Sequence, residues 1–165
     1  MRKGKLHNRL KEILEGRIAI VGIGNTLRAD DGFGPELIIR LKKDIKRRDN
    51  RTERFLLLDV GEVLENFFKP ISDFKPEKIL AIDAVYMNKK PGEISLVPLN
   101  DLAEQSISTH GISLKLSLSY LADRLGINVY LLAIQPENMG VGQPISRPVN
   151  KAIEEISTFF KQSFN

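Results

Sequence analysis

The chain has no cysteine among its 165 residues. That excludes disulfides, thiolate metal sites and a cysteine nucleophile. Histidine is nearly as scarce: His7 and His110 are the only two. A metal site in this protein must therefore lean on carboxylates. No apolar run approaches the roughly 20 residues needed to span a bilayer. The N-terminal stretch MRKGKLHNRLKEILEG has no signal-peptide hydrophobic core, so a cytoplasmic location is the expectation. Neither H-E-x-x-H nor G-x-S-x-G occurs, which removes the commonest zinc-protease and serine-hydrolase signatures. There are no internal repeats and no low-complexity segments.

A net charge of +4 raises the question of nucleic acid. The distribution argues against it. Residues 1–17 carry six Lys/Arg against two Glu, a local +4, and residues 40–54 carry eight against three acids, a local +5. The remainder is thus 4 − 4 − 5 = −5. The basic residues lie in an N-terminal segment and at one helix end, with no interleaved aromatics or binding motif. No nucleic-acid partner and no membrane partner are expected, and the chain is expected to be a monomer or a weak homo-oligomer.

A hydrophobic content of 42% is ordinary for a folded protein, and the length suits one domain with a substantial core. Residues 1–16 read as a basic N-terminal extension, with a short helix over 5–15. Residues 17–165 read as a single α/β domain. Compact apolar runs predict strands at 17–23, 54–60, 78–85, 93–99 and 127–135. Apolar positions at helical spacing predict helices over 33–48, 62–72, 111–125 and 149–162. In the 111–125 helix the apolar positions include Ile112, Leu116, Tyr120 and Ala122. Alternating strands and helices imply a mostly parallel sheet with helices on both faces. The turn NKKPGE (88–93) suggests a hairpin and hence one antiparallel edge strand.

Ligands of such sheets sit at the C-terminal strand ends. The first strand ends in GIGNTLRADDGFG (22–34), where Gly22, Gly24 and Gly32 permit a turn and close backbone approach. It begins like a dinucleotide loop, but Leu27 replaces the third glycine and two aspartates follow. Two carboxylates facing a pyrophosphate would each cost about 4 kcal/mol at 4 Å with an effective dielectric near 20. Asp59 lies too far on to serve as the ribose-binding acid. The second strand ends at Asp59 and Gly61, the third at Asp83 and the fifth at Gln135. Asp83, inside LAIDAVY, is an acid in apolar surroundings that wants a partner or a cation. Asp30 and Asp31 could cap the helix that follows, although one cap needs only one side chain. His110 stands just before a helix in a Ser/Thr-rich stretch. Asp31, Asp83 and His110 would make a divalent-metal triad with open positions, if the fold brings them together.

The segments IVGIGNTLRADDGFGPELI, LDVGEVLEN, ILAIDAV, PGEI, STHGISL and AIQPENMGVGQPIS occur in the order seen in nickel–iron hydrogenase maturation endopeptidases. The chain resembles that family over residues 17–160, most of all the hydrogenase-3 type. The resemblance implies a three-layer α/β sandwich around a five-stranded twisted sheet. It implies a peptide-bond hydrolase that removes a C-terminal extension from a hydrogenase large-subunit precursor after nickel insertion. The nickel-sensing and catalytic residues would be Asp31, Asp83 and His110. The nickel would arrive with the substrate, leaving the enzyme metal-free when alone. One departure is Leu64 in GEVLE, where the hydrogenase-3 type often carries proline; a substrate-contacting role for Glu62 is the expectation it affects. The alternative from a different class is a non-catalytic nickel- or nucleotide-binding module on the same fold.

Overall fold

The computed structural model describes residues 3–45, 52–97, 99 and 109–164. In chain order the elements are α1 (Lys3–Ile13), β1 (Ile18–Ile23), α2 (Phe33–Ile45), β2 (Phe55–Gly61), α3 (Phe68–Phe74), β3 (Lys78–Ala84), β4 (Ile94–Val97), α4 (Thr109–Leu125), β5 (Asn128–Ile134) and α5 (Arg147–Ser163). Short 3-10 turns lead into α2 (Ala29–Gly32) and α3 (Leu64–Phe67). Among the described residues no helix is long and apolar enough to cross a membrane.

The strands form one sheet in the order β2-β1-β3-β5-β4. Four run parallel, and β4 pairs antiparallel with β5 at the edge. The antiparallel edge agrees with the sequence expectation, but its partner does not. The turn after β3 does not fold β4 back as a hairpin on β3. Both edges of β3 are already taken, by β1 and by β5. The helical crossover through α4 returns β5 beside β3, so β4 is left outside it.

Each strand sends alternate side chains to opposite layers. Ile18 and Ile20 of β1, Leu80 and Ile82 of β3 and Leu132 of β5 pack against α1, α2 and α5. Ala19 and Val21, Ile79 and Ala81, and Leu131 pack on the other face against Ile71 of α3 and Leu118 and Leu121 of α4. All six residues of β1 are buried, as expected for a central strand covered on both sides. The result is the three-layer sandwich expected from the sequence.

Two details were not legible in the pattern. The core face of α4 is Leu114, Leu118 and Leu121, whereas Leu116 and Tyr120 are exposed. The segment SLKLSLSYL offers leucine on both faces of a helix, and only the packing partner selects one. The basic helix α1 is docked. Leu6, Leu10, Ile13 and Leu14 join the core with α2 and α5. His7 stacks on Phe159 with ring centroids 4.5 Å apart. The Lys78 ammonium donates to the carbonyls of Glu12 and Glu15, each at 2.9 Å, closing the end of α1.

Candidate active site

The parallel strands β1, β2, β3 and β5 deliver their C-terminal ends to one edge of the sheet. The loop after β1 turns there at Gly24, whose φ is +134°. A Cβ at Gly24 would lie 1.9 Å from the Asp31 carbonyl oxygen. No L side chain fits that turn. A second close approach occurs at Gly34, in the first turn of α2. A Cβ there would meet the carbonyl oxygens of Ile23 and Ile82 at 2.5 Å each. This glycine seats the start of α2 on the ends of β1 and β3. Gly32, by contrast, leaves 3.3 Å to the nearest atom, Thr26 Cα.

Asn25 organises the loop. Its side-chain oxygen accepts from the Leu27 N–H (2.9 Å), and its amide donates to Glu62 at the end of β2 (3.1 Å). Its own N–H donates to Asp31 Oδ2 (3.1 Å). Asp31 is therefore not spent on capping; its carboxylate turns back toward the turn that follows β1. Glu62 is exposed and tied to the same loop.

Asp30 has a different task from its neighbour. It is completely buried, and its carboxylate accepts from the N–H groups of Glu137 (2.8 Å), Asn138 (2.9 Å) and Ser146 (2.7 Å) and from the Ser146 hydroxyl (2.9 Å). The Asp30 N–H donates in turn to the Asn138 carbonyl (3.0 Å). No side-chain cap closes the 3-10 turn before α2. Asp30 thus holds the Gly/Pro-rich loop 136–146 against the site instead of capping a helix. Sequence could offer both tasks; four donors from one distant loop decide between them.

Asp83 ends β3. Its Oδ1 accepts from the Ala84 N–H at 2.8 Å. Burial, reinforced by the negative charge of Asp31, pushes its carboxyl well above the ordinary carboxylate range. The Ala84 bond opposes that shift without overcoming it. Two acids separated by 52 residues are thus within electrostatic reach of each other. A carboxylate pair of this kind either shares a proton or takes a cation.

His110 is the second residue of α4. Its imidazole lies outside the described residues. The helix runs back to β5 through a two-residue turn, so its N-terminal end is turned toward the same sheet edge. Among the described residues no three carboxylates or imidazoles converge in a metal-ligand cluster.

The remaining strand-end residues serve the scaffold. Asp59 is exposed and accepts from the Gly61 N–H (3.1 Å), making a local turn. Gln135 is buried, and its side-chain oxygen accepts from the Met87 N–H (2.7 Å) and the Lys89 N–H (3.3 Å). It pins the segment that follows Asp83. Its role was missed from sequence, although a polar residue ending an apolar strand before proline was the available signal.

Comparison with known proteins gives a consistent picture. The model of the hydrogenase maturation protease family matches residues 39–160, a span that includes Asp83 and His110. The chain is 30% identical over 135 residues to the hydrogenase 3 maturation protease of Escherichia coli K12, covering 81% of this chain and 82% of that protein. It is 28% identical over 123 residues to a putative hydrogenase maturation protease of Methanocaldococcus jannaschii, covering 73% of each. Its fold matches the crystal structure of the NiFe hydrogenase maturation protease HycI from Thermococcus kodakarensis with a TM-score of 0.81 and 31% identity, covering 94% of this chain and 98% of that one.

Proposed function

Because this chain belongs to the hydrogenase maturation protease family, and is thereby a peptide-bond hydrolase of hydrogenase maturation, we propose that it removes the C-terminal extension of a nickel–iron hydrogenase large-subunit precursor once nickel has been inserted. Kinship with proteases sets aside the alternative of a non-catalytic binding module. The single observation that carries the finer reading is the half-buried acid pair. Asp31 comes from the 3-10 turn before α2 and Asp83 from the C-terminal end of β3, and the charge of one raises the carboxyl of the other. A divalent cation brought by the substrate would relieve that repulsion and complete the site.

In this reading Asp31, Asp83 and His110 fill open positions on the nickel of the precursor. Recognition and catalysis are then coupled, because only a loaded precursor docks its scissile bond beside the acids. The carboxylates orient the metal-bearing segment and take up or release the proton moved during hydrolysis. The metal, as part of the substrate, would polarise the scissile carbonyl or the attacking water. Loops 22–34 and 136–146, joined through Asp30, wall the site. The partner is the large-subunit precursor, and the protease alone needs no resident metal.

The test is incubation with nickel-loaded and nickel-free precursor, followed by intact-mass measurement. Shortening of the loaded precursor alone is the expected result. Equal processing of both forms would remove the recognition role of nickel. Cleavage by an Asp31→Asn or Asp83→Asn variant of intact fold would remove the role given to that acid.

A further inference from the structure

Of the seven large apolar side chains exposed among the described residues, four stand in the loops that follow the parallel strands. Leu27 follows β1, Val63 follows β2, Tyr86 follows β3 and Val141 follows β5. Exposed aliphatic residues scattered singly are ordinary on a protein surface. Here one falls beyond each parallel strand, at the sheet edge that carries the acids. Leu27 is 69% exposed and Val141 is 77% exposed, the two highest values among the seven. Their loops are fixed to one another and to the site. The Asn25 N–H donates to Asp31, its side-chain oxygen accepts from the Leu27 N–H, and its amide donates to Glu62, the neighbour of Val63. The Gly24 N–H donates to the Gly61 carbonyl at 2.9 Å, which joins the first loop to the second. The Gly142 N–H donates to the Leu27 carbonyl at 2.8 Å, which brings the loop of Val141 against Leu27. With its N–H and its carbonyl both engaged, Leu27 cannot swing into the core without breaking these bonds.

Resting on the precursor-processing reading above, we propose that Leu27 and Val141, with Val63 and Tyr86 farther along the edge, form an apolar docking rim for an extended stretch of the precursor next to its scissile bond. The occupant follows from the activity. A peptide-bond hydrolase has to lay a polypeptide chain along its reactive groups, and this rim is continuous with Asp31 through Asn25. Charge narrows the occupant further. Glu62 and Glu137 are exposed in the same loops, and with Asp31 and Asp83 they disfavour an acidic segment. The stretch that docks is therefore apolar and free of Asp and Glu beside the cut. Because the loop bonds fix the rim before the substrate arrives, little freedom is lost on binding.

The experiment compares wild type, Leu27→Ser, Val141→Ser and Leu116→Ser on nickel-loaded precursor. Steady-state cleavage, thermal melting and sedimentation are recorded for each. Leu116 is the control, since it is 66% exposed but lies on α4, outside these loops. The expected result for each rim variant is a KM raised about tenfold or more, from lost apolar burial, with kcat within about twofold. The melting temperature of the free protein should match wild type, because neither side chain is buried in it. Leu116→Ser should keep the wild-type KM. A wild-type KM in both rim variants, or an equal rise in Leu116→Ser, would overturn the docking rim. So would a wild-type dimer that becomes monomeric in Leu27→Ser, because the rim would then belong to a second copy of this chain. In each of these cases wild type still cuts the loaded precursor, and the processing reading stands. Wild-type protein that leaves loaded precursor uncut would overturn that reading and this inference with it.

Discussion

The most demanding prediction concerns Asp30, which separates a scaffold acid from a site acid one residue away. Asp30 Oδ2 accepts three bonds and Oδ1 accepts one, all from residues 137–146. Replacement by alanine removes the acceptor from three buried or half-buried backbone donors at once. Summing four charge-assisted bonds at about 1.5–3 kcal/mol each would overstate the loss, since the loop relaxes and water enters. Breaking a buried charged group from its partners costs about 3–5 kcal/mol, which is the expected loss for Asp30→Ala. For a chain of this length that lowers the melting temperature by about 6–20 °C. Asp30→Asn should cost less. Its amide oxygen can occupy the Oδ2 position and keep three donors, while its NH2 group faces the Ser146 N–H. One lost bond against one buried donor costs about 1–3 kcal/mol. Urea unfolding followed by circular dichroism measures both variants, with unchanged slopes showing that the unfolded state is not altered. Well below both midpoints, Asp30→Asn should retain cleavage within tenfold of wild type. An Asp30→Ala protein within 1 kcal/mol of wild type would refute the reasoning, as would loss of cleavage without loss of stability.

The remaining predictions address the site acid, the loop and the helix face. Asp83 has a folded-state carboxyl raised by burial and by Asp31, so the folded protein binds that proton more tightly than the unfolded chain. Its contribution to stability is therefore full below the unfolded carboxylate range and is lost as pH rises through the raised value. Asp83→Asn should flatten this decline and match or exceed wild-type stability at neutral pH while losing cleavage; a pH series of urea midpoints for both proteins checks it. Gly34→Ala forces a Cβ to 2.5 Å from two carbonyl oxygens, and should cost about 3 kcal/mol or more in the same unfolding assay. Leu118→Ala on the buried face of α4 should cost about 2–5 kcal/mol, whereas Leu116→Ala on the exposed face should stay within about 0.5 kcal/mol. Equal costs for the two leucines would reverse the assigned face.

Much of the fold was readable because its elements are short and strongly patterned. IAIVGI, FLLLDVG, KILAIDA and NVYLLAI are apolar runs of strand length, and helical periodicity separates them. The β–α alternation then leaves few topologies other than a parallel sheet. The hairpin expected between β3 and β4 failed because local spacing speaks only for neighbours in sequence. The choice of β5 as partner depends on a crossover that closes more than thirty residues later. The face of α4 was similarly open, since leucines on both sides satisfy the same local pattern.

By itself the sequence determined which chemistry was available. Without cysteine, and with two histidines, it left carboxylates as the main reactive groups. It placed a turn-forming Gly24 before a pair of acids and a further acid inside an apolar strand. What only the tertiary structure decided was the division of labour among those acids. Asp30 and Asp31 are identical side chains on adjacent residues. One is consumed by four donors from the loop before α5, and the other lies within the electrostatic reach of Asp83. That difference depends on which distant backbone groups arrive beside each carboxylate. Hydrogen bonding and desolvation act over a few ångströms of space, and sequence separation carries no record of them until the chain has folded.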